Sequence, residues 1–171
     1  MPFAAKILSS EAAVIIKRDT YLNRLIHKKG NGLIKIITGI RRCGKSYLLF
    51  ELFHAHLHSI GIEDECIIEL SLDDEANAKF RNPMELGNYI RSRIMDKDKE
   101  YYVILDEIQQ VKEVKNPWLD DADEKIGFVD VLLGLMKLKN ADIYVTGSNS
   151  KMLSSDIVTQ FRDRGDEIRL Y

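Results

Sequence analysis

The run Gly39-Ile40-Arg41-Arg42-Cys43-Gly44-Lys45-Ser46 constrains this chain more than any other stretch. It fits G-x-x-x-x-G-K-[ST], in which glycines let successive backbone N–H groups curl inward around phosphate oxygens. Residues 33–38, before it, are apolar and largely β-branched, which predicts a buried strand. Residues 47–53, after it, carry helical periodicity. A strand, a glycine loop and a helix in that order make a phosphate cradle, because the helix N-terminus adds its partial positive charge. Gly39 and Gly44 supply backbone freedom, Lys45 a charge for the terminal phosphates, and Ser46 a hydroxyl able to ligate magnesium. The nucleotide-binding residues expected on this reading are Gly39, Ile40, Arg41, Arg42, Cys43, Gly44, Lys45, Ser46 and Tyr47. Arg41 and Arg42 hold variable positions and read as solvent- or partner-facing. Cys43 sits by a positive helix start that lowers a thiol pKa, but a small residue tolerated in the loop is the simpler account.

The rest of the chain alternates strands and helices. Residues 11–29 read as a helix with Ile15, Leu22, Leu25 and Ile26 on one stripe and Gly30 as its stop. The helix after the glycine loop places Leu49, Leu52, Phe53, Leu57 and Ile60 on one face and ends at Gly61. Residues 65–72 read as a strand. Asn82-Pro83-Met84-Glu85 is a helix start with a cap, a first-turn proline and a glutamate placed for a capping box; Leu86, Tyr89, Ile90 and Ile94 form its apolar face. A strand follows at 101–105, then a polar segment at 111–124, broken by Pro117, that reads as a surface loop. A helix carries Phe128, Leu132, Leu135 and Met136, and a strand spans 142–146. A helix at 151–161 and a strand at 166–170 complete the pattern. Such alternation implies a parallel sheet covered on both faces, an α/β fold. Residues 1–30 are expected to be a helical segment packed on a core formed by 31–171.

Two further strand ends carry chemistry. Tyr101-Tyr102-Val103-Ile104-Leu105 finishes in Asp106-Glu107, and an apolar strand ends in paired acids at a cost unless a cation or wet site receives them. Strand alternation sends the two side chains in different directions. Asp106 is assigned to the magnesium shell with Ser46, and Glu107 to orienting and deprotonating an attacking water. Thr146-Gly147-Ser148-Asn149 ends a strand expected beside the glycine loop, where parallel sheets bind ligands. Ser148 is the first choice and Asn149 the second for contacting the terminal phosphate or lytic water, with a capped turn as the alternative. Arg162 and Arg164 offer a guanidinium for phosphoryl transfer, in cis or from a neighbouring subunit, or else a solvated charge cluster.

Composition excludes several classes. The 171 residues are 45% apolar and 30% charged with net charge -2, so one domain with a substantial core is expected and no global attraction for nucleic acid or membrane. No apolar run is long enough to span a bilayer, and no signal peptide is evident. Two cysteines, Cys43 and Cys66, fit a reducing cytoplasm. His54 and His58 have helical i, i+4 spacing, but no acidic or cysteine partner accompanies them at a useful sequence spacing, so they read as ordinary helix residues. Trp118, in the polar segment, reads as a packing anchor.

Taken together, GIRRCGKS, YYVILDEIQQV, VTGSNSKMLSSDI and FRDRGDEIRLY resemble the ATPase domain of an AAA-type family of prokaryotic ATP-binding proteins. The resemblance runs from about Ile16 to Tyr171. It implies a three-layer P-loop fold with a five-stranded parallel sheet of order 5-1-4-3-2, with ATP and Mg2+ as ligands. It also implies Walker B roles for Asp106 and Glu107, and it strengthens Arg164 as an arginine finger, although Asp163 stands where the family pattern has glycine. The catalytic set is then Glu107, Lys45, Arg164 and Ser148. Members of the family usually continue into further C-terminal regions, so this chain is expected to be part of a longer protein. Its expected partners are a second copy of itself, through the finger, and DNA or protein, through the missing region. The expected activity is Mg2+-dependent ATP hydrolysis. A non-hydrolysing nucleotide switch is the alternative, while a small-molecule kinase would need an acceptor site and lid that the sequence does not offer.

Overall fold

The computed structural model describes residues 18–148 and 163–171. Its strands in chain order are β1 (Ile34–Gly39), β2 (Ile67–Ser71), β3 (Tyr101–Asp106), β4 (Val114–Lys115), β5 (Lys125–Ile126), β6 (Ala141–Ser148) and β7 (Gly165–Arg169). Five of them form one sheet in the order β2-β3-β6-β1-β7, with every neighbouring pair parallel. Counting only these five along the chain, the order is the expected 5-1-4-3-2 read from the other edge. The interior strand β3 is buried along all six residues. Tyr101, Val103 and Leu105 enter one core and Tyr102 and Ile104 the other, which is why an interior parallel strand reads as an unbroken apolar run.

Besides short 3₁₀ segments, four longer helices lie among the described residues. α1 covers residues 18–28 and ends before Gly30, whose φ of 72° turns the chain. α2 begins at Lys45–Tyr47, is π-wound over Leu48–Phe53 and finishes as α-helix over His54–Ser59. α3 is Pro83–Arg93 and α4 is Phe128–Leu135. Leu25 of α1 and Leu48, Leu49, Phe53 and Leu57 of α2 cover one face of the sheet. Leu86 and Ile90 of α3, with Val131, Leu132 and Leu135 of α4, cover the other.

The π-wound stretch corrects the expected face of α2. Lys45, Leu49, Phe53 and Leu57, each four residues from the last, are all buried. In a pure α-helix that spacing drifts by about 40° per step; a wider π turn absorbs part of the drift. Ile60 was expected on the same face but is exposed, because it lies past the helix end with φ −95° and ψ 9°.

Two other local expectations change. Asn82 does cap α3, accepting from the Met84 N–H at 3.0 Å, but Glu85 does not close a capping box. The Asn82 N–H is already held by the Lys79 carbonyl of a preceding 3₁₀ helix, Glu75–Arg81, and Glu85 pairs with Lys79 instead. The polar segment is only partly loop, since β4 and β5 pair as a small antiparallel ribbon. Trp118 is no anchor there: it is 74% exposed. The expected helix at 151–161, with Ile15, Asn149 and Arg162, lies outside the described residues.

At the end of the sheet where the strands begin, a buried ion pair joins β1 to β6. Lys35, fully buried, is bonded to Asp142. The other Asp142 oxygen accepts from the Tyr144 hydroxyl at 2.6 Å and the Gly30 N–H at 2.9 Å. Burial pulls the Lys35 ammonium below its ordinary pKa. Burial and the neighbouring Asp142 push the Tyr144 phenol up.

Candidate active site

The opposite end of the sheet gathers Lys45, Ser46, Asp106, Glu107 and Ser148, singled out from sequence. Gly39, at the end of β1, lies beside Ser148, at the end of β6. The loop after β1 turns through Arg42 and Gly44, with φ of 66° and 95°. Gly44 thus caps α2 in a left-handed conformation that a side chain would strain. Gly39 is required by crowding: a Cβ there would stand 2.6 Å from Cys43 Sγ and 2.9 Å from the Leu170 carbonyl. Ile40, Arg41 and Arg42 are exposed, as a solvent- or partner-facing reading of the two arginines requires. Lys45 is 96% buried and donates to the Gly39 and Ile40 carbonyls at 3.0 Å each. Its ammonium therefore sits within the loop itself.

Ser46 and Asp106 meet across the floor. The Ser46 hydroxyl donates to Asp106 Oδ2 at 2.7 Å, and the Thr146 hydroxyl donates to Oδ1 at 2.5 Å. Thr146 Oγ1 in turn accepts the Glu107 N–H at 2.9 Å. Glu107 adopts φ 57° and ψ 52°, so a left-handed turn, rather than the strand's pleat, separates its carboxylate from that of Asp106. That carboxylate accepts from the Gln109 side-chain amide and from the Ser148 hydroxyl at 3.4 Å. Gln109 also donates to Ser148 Oγ at 3.3 Å, while its own Oε1 is buried without a partner among the described residues. Thr146 and Gln109 were not assigned from sequence. Thr146 reaches Asp106 across 40 positions and Gln109 reaches Ser148 across 39, which no local spacing reveals; the Gln109 contact to Glu107 is local.

Beside the loop, a cavity of about 210 Å³ is lined by Arg18, Tyr21, Cys43, Gly44, Tyr47, Leu48, Leu170 and Tyr171. The Arg18 guanidinium lies 4.7 Å over the Tyr47 ring. The Tyr171 N–H donates to the Tyr21 hydroxyl at 3.2 Å, joining the two ends of the described chain. Of this lining, only Cys43, Gly44 and Tyr47 were expected.

Arg164 stands apart from all of this. It is exposed, and its carbonyl accepts the Ile34 N–H at 2.9 Å, at the beginning of β1. The P-loop lies at the end of β1, about 17 Å away at strand rise. In this structure Arg164 is not brought beside the phosphate loop of its own chain. A finger for a second molecule's site and a solvated charge both remain compatible with its exposed position.

Parallel strands, glycine loop and paired acids at the strand ends define an α/β P-loop nucleotide-binding domain. Residues 31–171 match the family described as "AAA domain", and the chain belongs to that family. It is 30% identical over 157 residues to an uncharacterised protein of Haemophilus influenzae, covering 92% of this chain and 36% of that protein. It is 29% identical over 159 residues to an uncharacterised protein of Methanocaldococcus jannaschii, covering 91% and 29% respectively. The chain thus spans about a third of the length of these curated relatives. AMPPCP-bound DnaA from Aquifex aeolicus shares the fold at TM-score 0.53 and 20% identity, over 88% of this chain and 44% of that one. Among the described residues, no helix is long and apolar enough to cross a membrane.

Proposed function

We propose that this domain binds ATP with magnesium and hydrolyses it to ADP and phosphate. The observation that carries the reading is the meeting of Ser46 and Asp106 at 2.7 Å, with Glu107 held alongside by Ser148. A hydroxyl and a carboxylate are the oxygen donors a magnesium ion takes, commonly with waters completing its shell. Bound there, the ion would neutralise charge between the terminal phosphates. Lys45 exchanges its two loop carbonyls for phosphate oxygens, and the loop N–H groups hold the remaining charge. Glu107 accepts a proton from the attacking water, with Ser148 orienting one or the other. The cavity between Tyr21, Tyr47 and Leu170 takes the base, its aromatic walls suited to a purine face.

The exposed position of Arg164, remote from its own P-loop, supports its delivery to a neighbouring copy's phosphates. It also favours a second reading, in which the chain, with Arg164 not at its own phosphates, holds ATP as a non-hydrolysing switch. The longer relatives support a partner, DNA or protein, engaged outside this domain.

Phosphate release by purified protein with ATP and Mg2+, followed against protein concentration, separates these readings. Activity rising more than linearly with concentration supports the trans arginine; no release at any concentration supports the switch. Nucleotide binding itself is tested by Lys45→Ala, which removes a buried cation from the phosphates. ATP affinity is expected to fall about 30-fold or more in a calorimetric titration. Unchanged affinity would remove Lys45 from the site.

A further inference from the structure

The outer side of α2 holds a cluster that the phosphate site does not use. His54 and His58 lie in the α-wound end of the helix, four residues apart, with rings 4.6 Å from each other. After the turn at Gly61, the 3₁₀ segment Asp64–Cys66 carries Asp64 back against them. Asp64 Oδ1 lies 2.5 Å from His58 Nε2 and 3.7 Å from His54 Nε2. The other nitrogen of His54, Nδ1, is hydrogen-bonded to Glu69 of β2. The acidic partner that the sequence spacing lacked is thus supplied by the fold.

The geometry suits one kind of ligand. Around a tetrahedral ion with bonds of 2.0–2.2 Å, ligand atoms stand about 3.3 Å apart, and the two nitrogen–oxygen distances here bracket that value. Imidazole with carboxylate selects zinc-class ions over magnesium. A carboxylate on the far nitrogen of a ligating histidine fixes its tautomer and strengthens it as a ligand, which is the place Glu69 occupies. The adjoining Glu63, Glu65 and Cys66 make no rival site, because Lys99 already holds both carboxylates at 2.9 and 2.7 Å. His56 faces elsewhere, stacked on Phe53 at 6.3 Å.

We propose that His54 Nε2, His58 Nε2 and Asp64 form a three-ligand site for a zinc-class divalent ion, with Glu69 orienting His54 and water completing the coordination. His54 is eight residues beyond Ser46, about 12 Å along the helix, so this ion is separate from magnesium at the phosphates. It would fasten the far end of α2 to the segment leading into β2.

The test uses tag-free protein stripped with chelator and titrated with Zn2+, and with Co2+ as a spectroscopic probe. One equivalent is expected to bind, raising the thermal midpoint by about 5–10 °C at a hundredfold excess over Kd. His58→Ala and Asp64→Ala, both at exposed positions, are expected to weaken binding at least tenfold while circular dichroism stays unchanged. Glu69→Gln is expected to weaken it about tenfold, and His56→Ala to leave it intact. Weak, unsaturable binding, or binding equally strong in His58→Ala and Asp64→Ala, overturns the proposal.

Discussion

Replacing Glu107 by glutamine is expected to leave ATP binding within about threefold of wild type while turnover falls by about 10²–10⁴-fold, the usual contribution of a general base. Glutamine keeps the length of the side chain and can still bond Gln109 and Ser148, so the left-handed turn and its neighbours should survive. What it loses is the capacity to take a proton. Calorimetry for binding and phosphate release for turnover separate the two effects. Unchanged turnover would mean that water is activated by another group, and a parallel loss of binding would mean that the substitution disturbs the loop. The proximity of Ser148 sharpens the expectation: Ser148→Ala should lower turnover less than Glu107→Gln does, because the Gln109 amide still holds the carboxylate.

Asp142→Ala should produce the largest loss of stability, about 3–5 kcal/mol, because it leaves the Lys35 ammonium buried without its carboxylate. It also removes the acceptor of the Tyr144 hydroxyl and the Gly30 N–H. The midpoint of urea unfolding should fall with an unchanged slope. Lys35→Met combined with Asp142→Asn should recover most of the loss, since the amide oxygen can still accept and no charge remains buried. The pH dependence follows from the direction of the Lys35 shift. Its native pKa lies below the unfolded value, so the native state binds fewer protons in the window reaching up to 10.5. The contribution of this lysine to stability therefore rises with pH across that window and is lost as pH falls through the native pKa. The defect in Asp142→Ala should accordingly shrink in alkaline solution; a defect that stays constant would show that the lost hydrogen bonds, and not the charge, dominate.

The parts of the fold and site legible in the sequence are those whose physics is local. The glycine loop, its flanking strand and helix, and the acids closing β3 each declare themselves within a few residues. The sheet order came from resemblance, and the strands it needed were visible because interior parallel strands are continuously apolar. What stayed hidden depends on residues far apart in the chain. Thr146 reaches Asp106 across 40 positions, and Tyr21 meets Tyr171 across 150. Asp64 closes on His54 and His58 only because the chain reverses after Gly61. Ile60 failed for a different reason: helical periodicity says nothing about a helix that changes its winding and then stops. Arg164 was recognisable by pattern, but which end of the sheet it occupies is a matter of register, fixed by pairing of Gly165 with Ile34.

The winding of α2 ties two properties that are usually separable. Lys45 is the first rung of a ladder whose other rungs are Leu49, Phe53 and Leu57, and all four lie buried. The cation proposed to meet the phosphates is thus in phase with the apolar seam between helix and sheet. A change of volume at Leu49 or Phe53 is expected to reach beyond the core, because a rotation of the seam would also rotate the ammonium. On the role proposed for Lys45, packing in the interior and grip on the nucleotide would form a single mechanical coordinate.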